Sequence, residues 1–176
     1  PPELLSIVRA GLVYLFEDEF RVEDPAEEGA RIVATIAEEN AYQVFVSFRV
    51  SESLAQANAI KAELDALGIR TYVCESMIDV GDDWCTVIFS ALESCSVMVL
   101  LGTKTYGQKG MEIMATWEEL TFALRYDKEL YVVKMCDRYD QARTRGLLDN
   151  KQCKMWLPGN DMPDGMVDEI AALVRT

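Results

Sequence analysis

Two adjacent carboxylates, Glu118 and Glu119, open a helical pattern that runs from Trp117 to about Tyr126 and are candidates for chemistry. The chain contains no histidine. Ser-His-Asp and Cys-His nucleophilic catalysis and the usual zinc sites are therefore removed. Any reaction must run on carboxylates, Lys, Tyr, Cys or backbone groups. At about 100° per residue, Trp117, Leu120, Ala123 and Leu124 share one face of the helix. Glu119 lies at the edge of that face and Glu118 points nearly opposite, toward solvent. A carboxylate at a cleft edge can stabilise a positive charge that grows in a transition state. The same residues also fit a structural role: Thr116-Trp117-Glu118-Glu119 is a capping box, with the last Glu reaching back to the Thr116 N–H.

Other candidates lie around the end of an apolar run, Tyr42 to Arg49. Arg49 suits pairing with an anionic group such as a phosphate, or is an exposed charge ending a strand. Phe48 and Trp84 can sandwich a ring, or pack in the core. Ser51 follows on the same turn. No P-loop and no GxGxxG run is present, so a nucleotide is not held by those devices.

The elements that must position these residues alternate. Tyr42 to Arg49 is apolar on nearly both faces, as a strand buried in a parallel sheet is. Leu54, Ala57, Ile60, Leu64 and Leu67 follow at helical spacing, capped at the start by Ser51 or Ser53 and closed by Gly68. Arg70 to Cys74 is a second strand, completing a βαβ unit. A loop, 75–83, leads to a helix with Trp84, Val87, Ile88, Ala91 and Leu92 inward. Strands are predicted at Ser96–Leu101, Leu130–Met135 and around Met155–Leu157. The stretch between the last two reads as an Arg- and Asp-rich loop, and a final helix buries Val167, Ile170, Ala171 and Val174. The class is α/β: a flavodoxin-like open five-stranded parallel sheet with helices on both faces. Ligands bind such sheets at the carboxyl ends of the strands, near the reversal of strand order. Phe48, Arg49, the loop 75–83 and the loop 102–116 are expected to face one another there.

Residues 1–40 differ in character. They hold ten acidic and three basic residues, so seven of the thirteen excess negative charges lie there. Leu5, Val8, Leu12 and Leu15 mark one amphipathic helix, and 26–39 a second. The division expected is a helical extension, 1–40, before a main domain, 41–176. The extension is either a hairpin packed on that domain or an oligomerisation or inter-domain element. A start at Pro1-Pro2 without Met is expected of a piece of a longer protein. The net charge of −13 argues against nucleic acid and anionic membranes as partners. No apolar run reaches membrane-spanning length and no secretory signal opens the chain. The five cysteines form no CxxC pair and read as small buried thiols of a reducing, cytoplasmic protein.

From Tyr42 to the C-terminus the chain resembles a Toll/interleukin-1 receptor (TIR) domain. Tyr42-Gln43-Val44-Phe45-Val46-Ser47-Phe48-Arg49 is similar to that family's opening box. Glu75 to Trp84, with Gly81, is similar to its BB loop. Ala91-Leu92-Glu93-Ser94-Cys95 resembles the end of its second helix. Trp117-Glu118-Glu119-Leu120 resembles the segment that carries the catalytic glutamate in enzymatic members. The usual Ser-x-Trp-Cys arrangement is missing, and Trp117 stands two residues from Glu119 rather than four. The resemblance implies one of two functions. One is a hydrolase that cleaves the nicotinamide–ribose bond of NAD, giving nicotinamide and ADP-ribose or a cyclic form. Glu119 would then be catalytic, and Phe48, Arg49, Ser51 and Trp84 would line the substrate, with no metal and no cofactor beyond NAD itself. Nicotinamide departs neutral from a cationic precursor, so no general acid is required, and the transition state is an oxocarbenium ion. The other is a non-catalytic adaptor. Both imply self-association through the loop 75–83, where Met77, Ile78 and Val80 are apolar residues on a loop. A receiver domain on a similar sheet would need Asp at the tip of the third strand, which here is Leu101-Gly102.

Overall fold

The computed structural model describes residues 41–74, 83–108 and 116–175, the side chains of 83–86 excepted. The helices expected within 1–40 and the loop 75–82 lie outside the described residues. Ten elements follow: β1 Val44–Ser47, α1 Val50–Ala66, β2 Thr71–Tyr72, α2 Asp83–Ser94, β3 Val97–Gly102, α3 Thr116–Arg125, β4 Glu129–Lys134, α4 Ala142–Leu148, β5 Cys153–Met155 and α5 Met166–Val174. The five strands form one sheet in the order β2-β1-β3-β4-β5, every pair parallel. This is the flavodoxin-like order, with the reversal at β1/β3.

Side-chain alternation along the strands builds two apolar layers. Val44, Val46 and Phe48 join Val97, Val99 and Leu101 under α1 and α5, which contribute Ala57, Ile60, Leu64, Met166, Ile170 and Ala171. Phe45 and Met98 face the other way, toward Ile88, Ala91 and Leu92 of α2 and Ala123 of α3. On that second face Leu100 and Val132 meet Tyr106, Leu120, Tyr139 and Leu148. Gly68 ends α1 at φ +77°, the left-handed position expected of it. The backbone kinks at Ser53 inside the first turns of α1.

Four expectations need correction. β2 is two residues long rather than five, and β5 begins at Cys153, although its pairing runs on to the Trp156 N–H on Lys134 O, 3.0 Å. The supposed loop after β4 contains α4. It is only seven residues long and includes Gly146, with Thr144 and Leu148 its buried positions, so it leaves almost no periodic signal. The cysteines are not uniformly buried: Cys95 is buried, Cys74 and Cys136 are half-buried and Cys153 is exposed.

Burial pushes the Cys95 thiol up to about 11 and holds that of Cys136 above its ordinary value. Thiolate is the reactive form, so both are protected at neutral pH. Alkylation at pH 7.5 followed by peptide mapping should modify Cys153 before Cys95, and Cys95 only on unfolding. Cys95 labelling at the rate of Cys153 in the native protein would contradict this packing.

Candidate active site

Ser47 is the last residue of β1, and it breaks an otherwise apolar strand. It is completely buried on the α2–α3–α4 side of the sheet, where a bare hydroxyl would be costly. Its Oγ donates to Glu119 Oε2 at 2.5 Å and lies 2.6 Å from Tyr106 Oη. A serine hydroxyl has one proton. Since that proton goes to the carboxylate, Tyr106 must donate to Ser47. Burial, with the nearby Glu119 charge second, holds the Tyr106 phenol well above its ordinary value, so it remains a donor. Glu119 itself is 9% exposed, on the first turn of α3. The carboxylate therefore sits at the carboxyl end of the sheet, beside β1 at the reversal of strand order.

The loop after β3 brings Tyr106 to this point and is fastened on several sides. Thr144 Oγ1 donates to Tyr106 O at 2.9 Å, and Arg143 Nη2 to Gly107 O at 2.5 Å. The Gly107 N–H donates to Thr116 Oγ1 at 2.9 Å, so the hydroxyl expected to cap α3 accepts this loop amide. Arg49 Nη1 reaches Gln108 O at 3.2 Å, and Thr105 Oγ1 donates to Glu52. Arg143 also stacks over the Trp117 ring, 4.1 Å from its centroid. Gly107 has φ +79°, and a Cβ there would stand 2.4 Å from Thr144 Oγ1. Gly102, at the end of β3, is constrained by space alone: a Cβ would meet Tyr139 Oη at 2.4 Å.

The residues singled out from sequence are divided by this geometry. Glu119 lies at the carboxyl end of the sheet, beside Ser47. Arg49 faces the loop after β3, but its Nε is 3.4 Å from Glu52 Oε1, so it is already partnered by an anion. Ser51 is exposed on the first turn of α1. Phe48 is 7% exposed and packs in the layer under α1 and α5. Strand alternation puts it on the face opposite Ser47, so Phe48 is a core residue and does not line the Glu119 side. The side chain of Trp84 lies outside the described residues. Glu118, expected in solvent, is half-buried, and its Oε2 is enclosed with no hydrogen-bond partner among the described residues. Helical phase treats α3 as isolated and does not anticipate what packs beside its first turn.

Sequence reasoning missed Ser47, Tyr106, Arg143 and Thr144. Ser47 carried a usable signal, because a polar residue inside a strand buried on both faces must find a partner. Tyr106, Arg143 and Thr144 carried none, as their roles depend on long-range placement by a loop and by α4. An open cleft at the amino ends of β4 and β5 is lined by Lys128, Tyr131, Lys154 and Glu169, at the opposite end of the sheet. Two of its lysines are engaged: Lys154 with Glu169 at 2.6 Å, Lys128 with the carbonyls of Glu93 and Cys95.

The family described as TIR domain matches this chain over residues 44–154. The TIR domain of the Toll-related receptor TRR-2 from Hydra magnipapillata is similar in structure, with a TM-score of 0.58 at 12% identity, covering 77% of this chain and 100% of that one. The RPS4 and RRS1 TIR domain heterodimer aligns with a TM-score of 0.46 at 17% identity, over 76% of this chain and 94% of that one. The TIR domains of the activated Roq1 resistosome align at 0.39 and 22% identity, over 60% and 63%. The Hydra likeness supports the fold. No curated protein matches the chain.

Proposed function

The chain belongs to the TIR domain family, and on that premise we propose that it is an NAD glycohydrolase with Glu119 as its catalytic carboxylate. The observation that supports this reading is a buried carboxylate held by a serine hydroxyl at the carboxyl end of β1. In the proposed reaction the C1′–N bond of NAD breaks and its electron pair goes to the pyridinium nitrogen, which leaves as neutral nicotinamide. The ribose becomes an oxocarbenium ion, whose charge Glu119 stabilises. Water attacks C1′ and loses a proton, giving ADP-ribose; attack by a nucleophilic atom of the same ADP-ribosyl group gives a cyclic product instead. Arg49 is proposed to meet a phosphate by exchanging its contact with Glu52, and Ser51 and Trp84 to complete the lining. We place this activity in the cytoplasm, in a signalling or defence pathway.

A second reading is a scaffold that acts through TIR–TIR contacts, and one feature favours it. Val87 and Phe89 of α2 and Tyr126 beyond α3 are 50%, 41% and 58% exposed. Phe122 links Phe89 and Tyr126, with ring centroids 6.2 Å and 4.4 Å away. Exposed aromatic surface of this kind suits self-association. The proposed contact through 75–83 falls mainly on residues outside the description.

The two readings combine if assembly activates cleavage, and one experiment addresses both. Nicotinamide release per protein molecule should rise with concentration, in step with mass from light scattering. Phe89→Asp should blunt both. Scattering that rises while NAD stays intact supports the scaffold alone, and a constant monomer with constant turnover contradicts activation by assembly.

A further inference from the structure

We infer that Ser47 and Tyr106 are positioning residues, a buried two-hydroxyl brace that fixes Glu119 Oε2 in place. The catalytic consequence of the brace rests on the NAD-cleaving reading; the brace itself does not. Three parts of the chain meet in it: the end of β1, the loop after β3 and the first turn of α3. Ser47 and Tyr106 are fully buried, and the hydrogen bonds are 2.6 and 2.5 Å long. Their direction is set by proton count, Tyr106 to Ser47 to Glu119, so both hydroxyl protons point toward the carboxylate.

The brace has an anchor independent of Glu119. Thr144, Arg143, Thr116 and Arg49 all hold the loop that carries Tyr106. Tyr106 thus orients Ser47, and Ser47 orients a glutamate side chain that otherwise has three rotatable bonds. A reacting carboxylate must be held to within about half an ångström of its productive position, and supporting hydrogen bonds do this. Donation to the charged form also favours it. Tyr106 and Tyr72 both sense the Glu119 charge, and burial first of all raises both phenols, so neither titrates in the range of the carboxyl group.

The test follows the Glu119 side-chain carboxyl carbon by NMR titration in carbon-13-labelled protein, alongside the pH profile of nicotinamide release from NAD. The proteins compared are the parent, Ser47→Ala, Tyr106→Phe and the double variant. Ser47→Ala should raise the Glu119 midpoint by about one pH unit. Tyr106→Phe should raise it less. The double variant should match Ser47→Ala, because Tyr106 acts through Ser47. The acid limb of the rate profile should move with the midpoint. A moved midpoint in a protein that leaves NAD untouched even when clustered supports the brace and overturns the NAD reading. A midpoint unmoved by Ser47→Ala, or shifts that add in the double variant, overturns the brace whatever the enzyme does. Should Ser47→Ala fail to fold, Tyr106→Phe, which removes a single oxygen atom, carries the test: no shift with it overturns the brace.

Discussion

Glu119→Gln is expected to lower NAD cleavage by about two to three orders of magnitude while the fold stands. Glutamine keeps the shape of the side chain, and its carbonyl oxygen can still accept from Ser47 Oγ, which donates to Oε2 at 2.5 Å. What is lost is the negative charge. A preorganised charge facing an oxocarbenium ion acts in a site partly closed to water, where it is worth about 3 kcal/mol or more. The stability change is smaller, about 1 kcal/mol or less, because the hydrogen bond survives and burial of a charge is relieved. Thermal melts run beside the assay separate the two effects. Glu118→Gln is the control: its carboxylate shares the helix turn but has no hydrogen-bonded place beside Ser47, and its turnover should stay near that of the parent. A Glu119→Gln protein as active as the parent would remove Glu119 from the reaction and leave it a structural residue of α3.

Gly107→Ala should be the most damaging small substitution. Two costs coincide at this position. Its φ is +79°, which costs a residue with a Cβ about 1–2 kcal/mol. The added Cβ would also stand 2.4 Å from Thr144 Oγ1, the atom that holds Tyr106 O. Overpacking of that kind costs about 1–3 kcal/mol. The sum, roughly 2–5 kcal/mol, should lower Tm by about 10 °C in a domain of this size. Gly68→Ala separates the terms, since φ there is +77° but nothing lies within 4 Å of the new Cβ. It should lose only the conformational part. Equal losses at the two glycines would show that the Thr144 contact does not constrain the loop. Gly107→Ala should also slow cleavage beyond what its melt explains, because displacing Tyr106 loosens the brace on Glu119.

How much of this was legible in the sequence varied with the range of the interactions involved. The sheet was, because Val44–Val46, Val97–Leu101 and Leu130–Val133 are apolar runs and the helices between them carry their own periodicity. Gly68 was, because its local backbone demands it. The buried side of Glu119 was legible in helical phase, and the same argument misjudged Glu118 because phase knows nothing of neighbouring chain. Phe48 was assigned to the ligand by its place at a strand end, yet alternation from Val44 and Val46 sends it to the opposite layer. α4 was hidden by its length and its charged composition, and with it went Arg143 and Thr144. The brace joins residues 59 and 72 positions apart, a separation at which no local pattern speaks.

Cleavage of the nicotinamide–ribose bond of NAD through Glu119 can be watched by proton NMR of NAD in the presence of the chain tethered at high density on beads, the parent beside Glu119→Gln. For the parent, signals of free nicotinamide should grow as those of the intact dinucleotide fall, and for Glu119→Gln both should stay nearly constant. NAD left intact by the clustered parent, or nicotinamide growing equally fast in the two samples, would contradict the account.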